Sequence, residues 1–138
     1  MKHENVLSLA LALAVCGILT GCPKRIMVTL YNNTDHDCRM VLYGRAQTLN
    51  SRATVKFDYP LLDAELGIQC HGTNLSYKMP RPPKSLLKPR PFGETVSFQL
   101  EADGAIYALL PSNRFPAKVL TNQPEDFPLR PKKRTASP

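Results

Sequence analysis

Tryptophan is absent from this chain of 138 residues, and aromatic side chains make up only 7% of it. A folded core must therefore be mainly aliphatic, and the buried Trp around which antibody-type domains pack is excluded. The longest apolar run, Val6 to Leu19 broken only by Ser8, falls short of the ~20 residues that cross a bilayer as a helix. No amphipathic helix of useful length and no internal repeat can be traced. Catalytic signatures are missing as well: there is no nucleophile elbow, phosphate loop, zinc-protease helix or arguable carboxylate pair. Asp58, Asp63 and Glu65 lie close in sequence, but in a loop with no partner acid or base. Asp35-His36-Asp37 is the one cluster of metal-ligand types. Neighbours on an extended chain point to opposite sides, so it reads as a solvated turn. His71 should face away from the core if Cys70 faces in. These absences argue against an enzyme, a metal, a cofactor or a small-molecule substrate.

What is present begins at the N-terminus. Lys2 and His3 precede the apolar run, which ends in Leu19-Thr20-Gly21-Cys22. A charged start, a short apolar middle and small residues at a cut site form a secretory signal. The closing motif resembles the lipobox of bacterial lipoproteins. That resemblance implies removal of residues 1–21, including Cys16, and triacylation of Cys22, consistent with the need for more than one lipid chain in stable anchoring. Residue 23 is Pro, not the Asp that marks inner-membrane retention in enteric lipoproteins. The resemblance therefore implies the outer membrane, with the domain facing the periplasm.

Lys2 and Glu4 cancel in the discarded segment, so the mature chain keeps the net charge of +7. Such an excess favours anionic neighbours, either lipid headgroups, lipopolysaccharide phosphates or an acidic envelope protein. Nucleic acid is not expected outside the cytosol. Cys38 and Cys70 remain as a pair, and in an oxidising compartment an even pair reads as a disulfide. Only His36 and His71 lie near them, too few ligands for a metal site.

Alternation of period two predicts strands at Ile26–Tyr31, Cys38–Tyr43, Ala53–Asp58, Leu66–His71 and Thr95–Leu100, with weaker ones at Ala46–Asn50 and Asn74–Met79. Both cysteines fall on apolar faces, where a bridge between two sheets would sit. Two registers are open after Leu100. A two-residue Asp103-Gly104 loop pairs Leu100 with Tyr107. A three-residue Ala102-Asp103-Gly104 loop with Gly104 left-handed pairs Leu100 with Ile106 and Phe98 with Ala108. The second gathers the smaller aliphatic residues on one face and is preferred. Residues 22–25 form the lipidated N-terminus and linker, and 26–110 the domain. The expected fold is all-β, a small antiparallel sandwich that looks like an immunoglobulin-like or transthyretin-like arrangement.

Pro80, Pro82, Pro83, Pro89 and Pro91 interrupt residues 78–91, a stretch with no acid. Proline cannot donate to a ladder, so this is a loop or extended coil. Lys78, Arg81, Lys84, Lys88 and Arg90 make it the best partner-binding candidate, with Leu86 and Leu87 available for a groove or lipid interface. Residues 111–138 show no regular element. Phe115, Val119, Leu120, Phe127 and Leu129 suit a segment lying across the domain, whereas the basic end from Arg130 reads as disordered. The expected function is a non-enzymatic envelope lipoprotein, a binding or structural module. The alternatives are an inhibitor or immunity lipoprotein against a wall hydrolase or toxin, and a lipoprotein subunit of a secretion machine such as the type VI system. Closing the loop between Cys38 and Cys70 restricts the unfolded chain by about 3.5–4 kcal/mol. Replacing both cysteines by Ala should lower the urea-unfolding free energy by about that amount; unchanged stability would remove the bridge from the fold.

Overall fold

The computed structural model describes residues 25–60, 64–118 and 120–136. The signal segment and Cys22, the interruption at Leu61, Leu62 and Asp63, and Val119 lie outside them. Ten strands follow in order: β1 (Ile26–Asn32), β2 (Cys38–Leu42), β3 (Arg45–Leu49), β4 (Thr54–Asp58), β5 (Glu65–Cys70), β6 (Thr73–Lys78), β7 (Lys88–Arg90), β8 (Gly93–Leu100), β9 (Ile106–Leu109) and β10 (Lys133–Ala136). They form two five-stranded sheets. The first runs β4-β1-β8-β7, with β9 also on β8, and the second runs β10-β6-β5-β2-β3. Their inner faces meet in one core, to which β1 and β8 give Val28, Leu30, Val96 and Phe98 and the second sheet gives Met40, Leu66, Ile68 and Tyr77. This is the small β-sandwich that the alternation predicts.

Every strand pair is antiparallel except β1 and β8, which run parallel from Ile26↔Glu94 to Asn32↔Leu100. Four strands of the second sheet, β2, β3, β5 and β6, lie between them in the chain, and β10 follows β8. That long connection is what a parallel pair needs and a hairpin cannot supply. The β8–β9 hairpin takes the three-residue loop, with Leu100 opposite Ile106 and Phe98 opposite Ala108. Its Gly104 has a positive φ of 79°, as a left-handed turn residue must. Tight turns at Tyr43-Gly44 and His71-Gly72 have positive φ at both residues, the requirement of a type I′ hairpin whose twist suits its strands.

The disulfide links Cys38 to Cys70 but does not cross between the sheets. Cys38 and Cys70 stand directly opposite each other on neighbouring β2 and β5. Their Cα atoms are 4.5 Å apart, the narrow spacing of an antiparallel ladder. Alternation locates each cysteine on a face but does not say which strands are neighbours.

The chain passes from the first sheet to the second at Asn32, whose side chain is fully buried. Its carboxamide nitrogen faces the carbonyls of His36, Leu49 and Asn50 at 2.9, 3.0 and 3.2 Å. Its oxygen accepts from the Thr34 amide at 3.0 Å and the Thr34 hydroxyl at 2.8 Å. The polar run after Asn32 is thus a corner organised around one buried amide.

The C-terminal segment does lie across the domain. Phe115 stacks on Tyr31 at 5.2 Å over the outer face of the first sheet, and Phe127 stacks on Phe98 at 5.4 Å inside the core. Proline-rich chain cannot make a continuous ladder, so two glutamines substitute for a strand. Gln99 pairs with both the N–H and the C=O of Ala117, and Gln123 with both groups of Ala108. Leu129 then exchanges two backbone hydrogen bonds with Ile106. The basic end is a strand, not a loose tail: Lys133–Ala136 pairs with Ser76–Thr73 of β6. Open edge groups on β6 need partners, and the tail supplies them although no apolar pattern marks it. Asn32→Asp should place a carboxylate against three carbonyls and cost about 3 kcal/mol or more. Thermal unfolding checks this, and a variant as stable as wild type would contradict the role of the corner.

Candidate functional site

Two ends of the sandwich gather polar chemistry. At one, the disulfide brings His36 and His71 together, their rings stacked with centroids 4.2 Å apart. They border an open cleft of about 290 Å³, lined also by Asp35, Leu100, Asp103 and Arg134. The charged groups there already satisfy one another. Asp35 pairs with Arg52 at 2.6 Å and Asp103 with Arg130 at 2.8 Å. Glu101 accepts from Asn33 at 2.9 Å and from Gln99 at 2.6 Å. Burial by itself would raise the Asp103 pKa, but the Ala105 amide and Arg130, helped by the charge of Arg134, bring it below its ordinary value. The ligand-type residues diverge, since Asp37 accepts from the Ser51 amide while Asp35 and His36 take the partners just named. Among the described residues no group of three His, Cys, Asp or Glu could hold a metal ion. Tyr77, fully buried, ties this end across the core by donating to the Gly104 carbonyl at 2.7 Å. Burial holds its pKa above the ordinary tyrosine value.

The opposite end holds the Pro-rich segment. It leaves β6 at Lys78, which stands opposite Glu65. Met79 and Pro82 are buried, and the Tyr59 hydroxyl donates to the Pro80 carbonyl. A single 3₁₀ turn at Lys84–Leu86 follows, then β7 along the edge of β8. Pro89 is tolerated there because an edge strand needs only part of its ladder. Arg81, Lys84, Lys88 and Arg90 are exposed. Leu86 and Leu87 are not available to a partner. Leu86 is only 2% exposed and Leu87 packs partly against the same core. The 3₁₀ turn interrupts the two-residue alternation of extended chain, so the adjacent leucines both seat the segment on the sandwich while the cations stay outside.

Sequence reasoning passed over the neighbouring aromatic. Phe92 is 97% exposed in the two-residue turn between Arg90 and Gly93, which face each other across β7 and β8. Arg25, where the described chain begins, accepts from the Glu94 amide at 2.9 Å. An added Cβ on Gly93 would lie 2.3 Å from the Arg25 carbonyl, at a φ of 144°. Only glycine allows the turn to press so closely on the start of the domain. A lone aromatic between proline and glycine has no periodic partner, and its exposure could not be read from pattern. The arrangement sets guanidinium and ammonium groups, suited to charge-assisted contacts with phosphate or carboxylate, around an exposed ring.

No protein-family model, curated protein or solved structure matches this chain.

Because the Asp103 pKa is lowered on folding, its contribution is present above the unfolded carboxylate value and is lost as pH falls through the folded one. Half-exposed side chains limit that contribution to about 1 kcal/mol or less. Asp103→Asn should lower stability at pH 7 and flatten the loss between about pH 5 and pH 2, measured by urea titration across pH. An identical acid limb in both proteins would remove Asp103 from the pH dependence.

Proposed function

We propose that this chain is a non-enzymatic envelope lipoprotein, tethered through Cys22, whose sandwich serves as a binding or structural module. It presents the basic face of residues 78–91 to an anionic component of the envelope. The carrying observation is the lipobox cysteine, followed at once by a β-domain whose two other cysteines are bonded to each other. Disulfides persist outside the reducing cytosol, so the bridge supports export. Seating of the segment through Leu86, with its cations outward, supports a surface set up for contact, because little chain entropy is left to lose on binding. No described helix is long and apolar enough to cross a membrane, and the tether in this reading is the acylated cysteine.

Intact mass spectrometry should find a mature chain that begins at Cys22 and carries acyl groups. Cys22→Ser should lose them and leave the lipid-anchored fraction; wild-type protein with Met1 attached and an unmodified Cys22 would end the reading. Replacing Arg81, Lys84, Lys88 and Arg90 with Ser in the anchored protein should abolish crosslinked recovery of the envelope component. Unchanged recovery would reject this face as the binding surface.

A further inference from the structure

We infer that the β7–β8 turn is a membrane-contact tip, with Phe92 entering the interfacial layer of the membrane that carries the anchor and Arg25, Lys88 and Arg90 meeting anionic headgroups. The inference rests on the lipoprotein reading and names the anionic component of that reading as the membrane surface.

Chain length makes the first argument. Only Pro23 and Lys24 separate Cys22 from Arg25, and three extended residues reach at most ~11 Å. Whatever end of the sandwich holds Arg25 is therefore kept within about one headgroup layer of the lipid. That end holds Phe92. Glu94 is paired with Ile26 in register, and Gly93 lies against the Arg25 carbonyl. Burial makes the second argument. Three large apolar side chains are exposed among the described residues, namely Tyr43, Leu110 and Phe92, and Phe92 is the most exposed at 97%. An aromatic ring standing free in water beside a lipid tether finds its apolar environment at the interface, where aromatic side chains concentrate.

Charge makes the third. Arg90 reaches across the outer face to the Met27 sulfur at 3.7 Å, which keeps its cation beside the tip. Lys88 shares that face, two residues along the same short strand. Asp58, Glu65 and Glu94 are the described acids at this end, and Glu65 is engaged by the Ser76 hydroxyl. Basic residues next to an anchor are drawn to an anionic leaflet, and one lipid-linked residue together with a basic patch holds better than either signal by itself. The disulfide end, with its cleft, then points away from the membrane.

The chain has no tryptophan, so Phe92→Trp introduces a single tryptophan, excited apart from the tyrosines at 295 nm, at the tip. Ala102→Trp places one in the turn at the opposite end. Each lipidated, full mature protein is reconstituted in phosphatidylglycerol vesicles containing brominated lipid, after acylation has been checked by mass. Blue-shifted emission and strong bromine quenching at position 92, with neither at position 102, are expected. Replacing Lys88 and Arg90 with Ser should reduce the quenching at 92. Emission at 92 that stays solvent-like and unquenched on acylated protein overturns the inference and leaves the anchor standing, and so does equal quenching at both positions. If Cys22 carries no lipid, the anchor reading fails separately. Bromine quenching of the same Phe92→Trp protein mixed with phosphatidylglycerol vesicles then decides the tip: quenching upholds it, and unquenched, solvent-like emission overturns it.

Discussion

A buried amide at the point where the chain changes sheets is the constraint on which this sandwich depends. Any two-sheet domain must carry backbone from one layer to the other, and the polar groups at the crossing are shielded from water. Asn32 resolves this with a carboxamide facing three carbonyls and a carbonyl oxygen held by Thr34. The same corner sets Cys38 at the start of β2, opposite Cys70, and so brings His36 onto His71. The bridge and the stacked imidazoles adjoin this turn, and the cleft beside them is completed by Asp103 and Gly104 of the β8–β9 turn and by Arg134.

A related solution recurs at the edges. Proline-rich chain has too few N–H groups to extend a sheet, yet an uncovered edge invites pairing with another molecule. Gln99 and Gln123 each offer an amide to both polar groups of one residue, doing for Ala117 and Ala108 what a neighbouring strand would do. Lys133–Ala136 covers β6 in the ordinary way. Proline content that looked incompatible with order is accommodated by side-chain amides and by two aromatic stacks.

The two ends of the domain differ in how their charges are used. Around the disulfide, acids and guanidiniums are matched within the protein, as Asp103 is with Arg130. Around Arg25 and β7 the exposed charge is mainly positive and sits beside an exposed ring, while the leucines of the same segment are drawn inward. Leu86 and Leu87 had the composition of a contact surface but not the position. Phe92 had the position without any periodic mark.

Local alternation was enough to locate most strands, the inward set of Val28, Leu30, Val96 and Phe98, and the register of the β8–β9 hairpin. All of these follow from a period of two and the φ allowed to Gly104, which act over a few residues. The basic segment was likewise legible, because charge and proline can be counted. Which strands lie side by side was not: the parallel β1–β8 pair, the in-sheet bridge, the strand formed by the basic end and the burial of Leu86 each depend on residues distant in the chain. The amino-acid order by itself determined faces and turns. Tertiary packing decided neighbours and exposure, because hydrogen-bond satisfaction at a sheet edge or corner is settled by whichever segment arrives there.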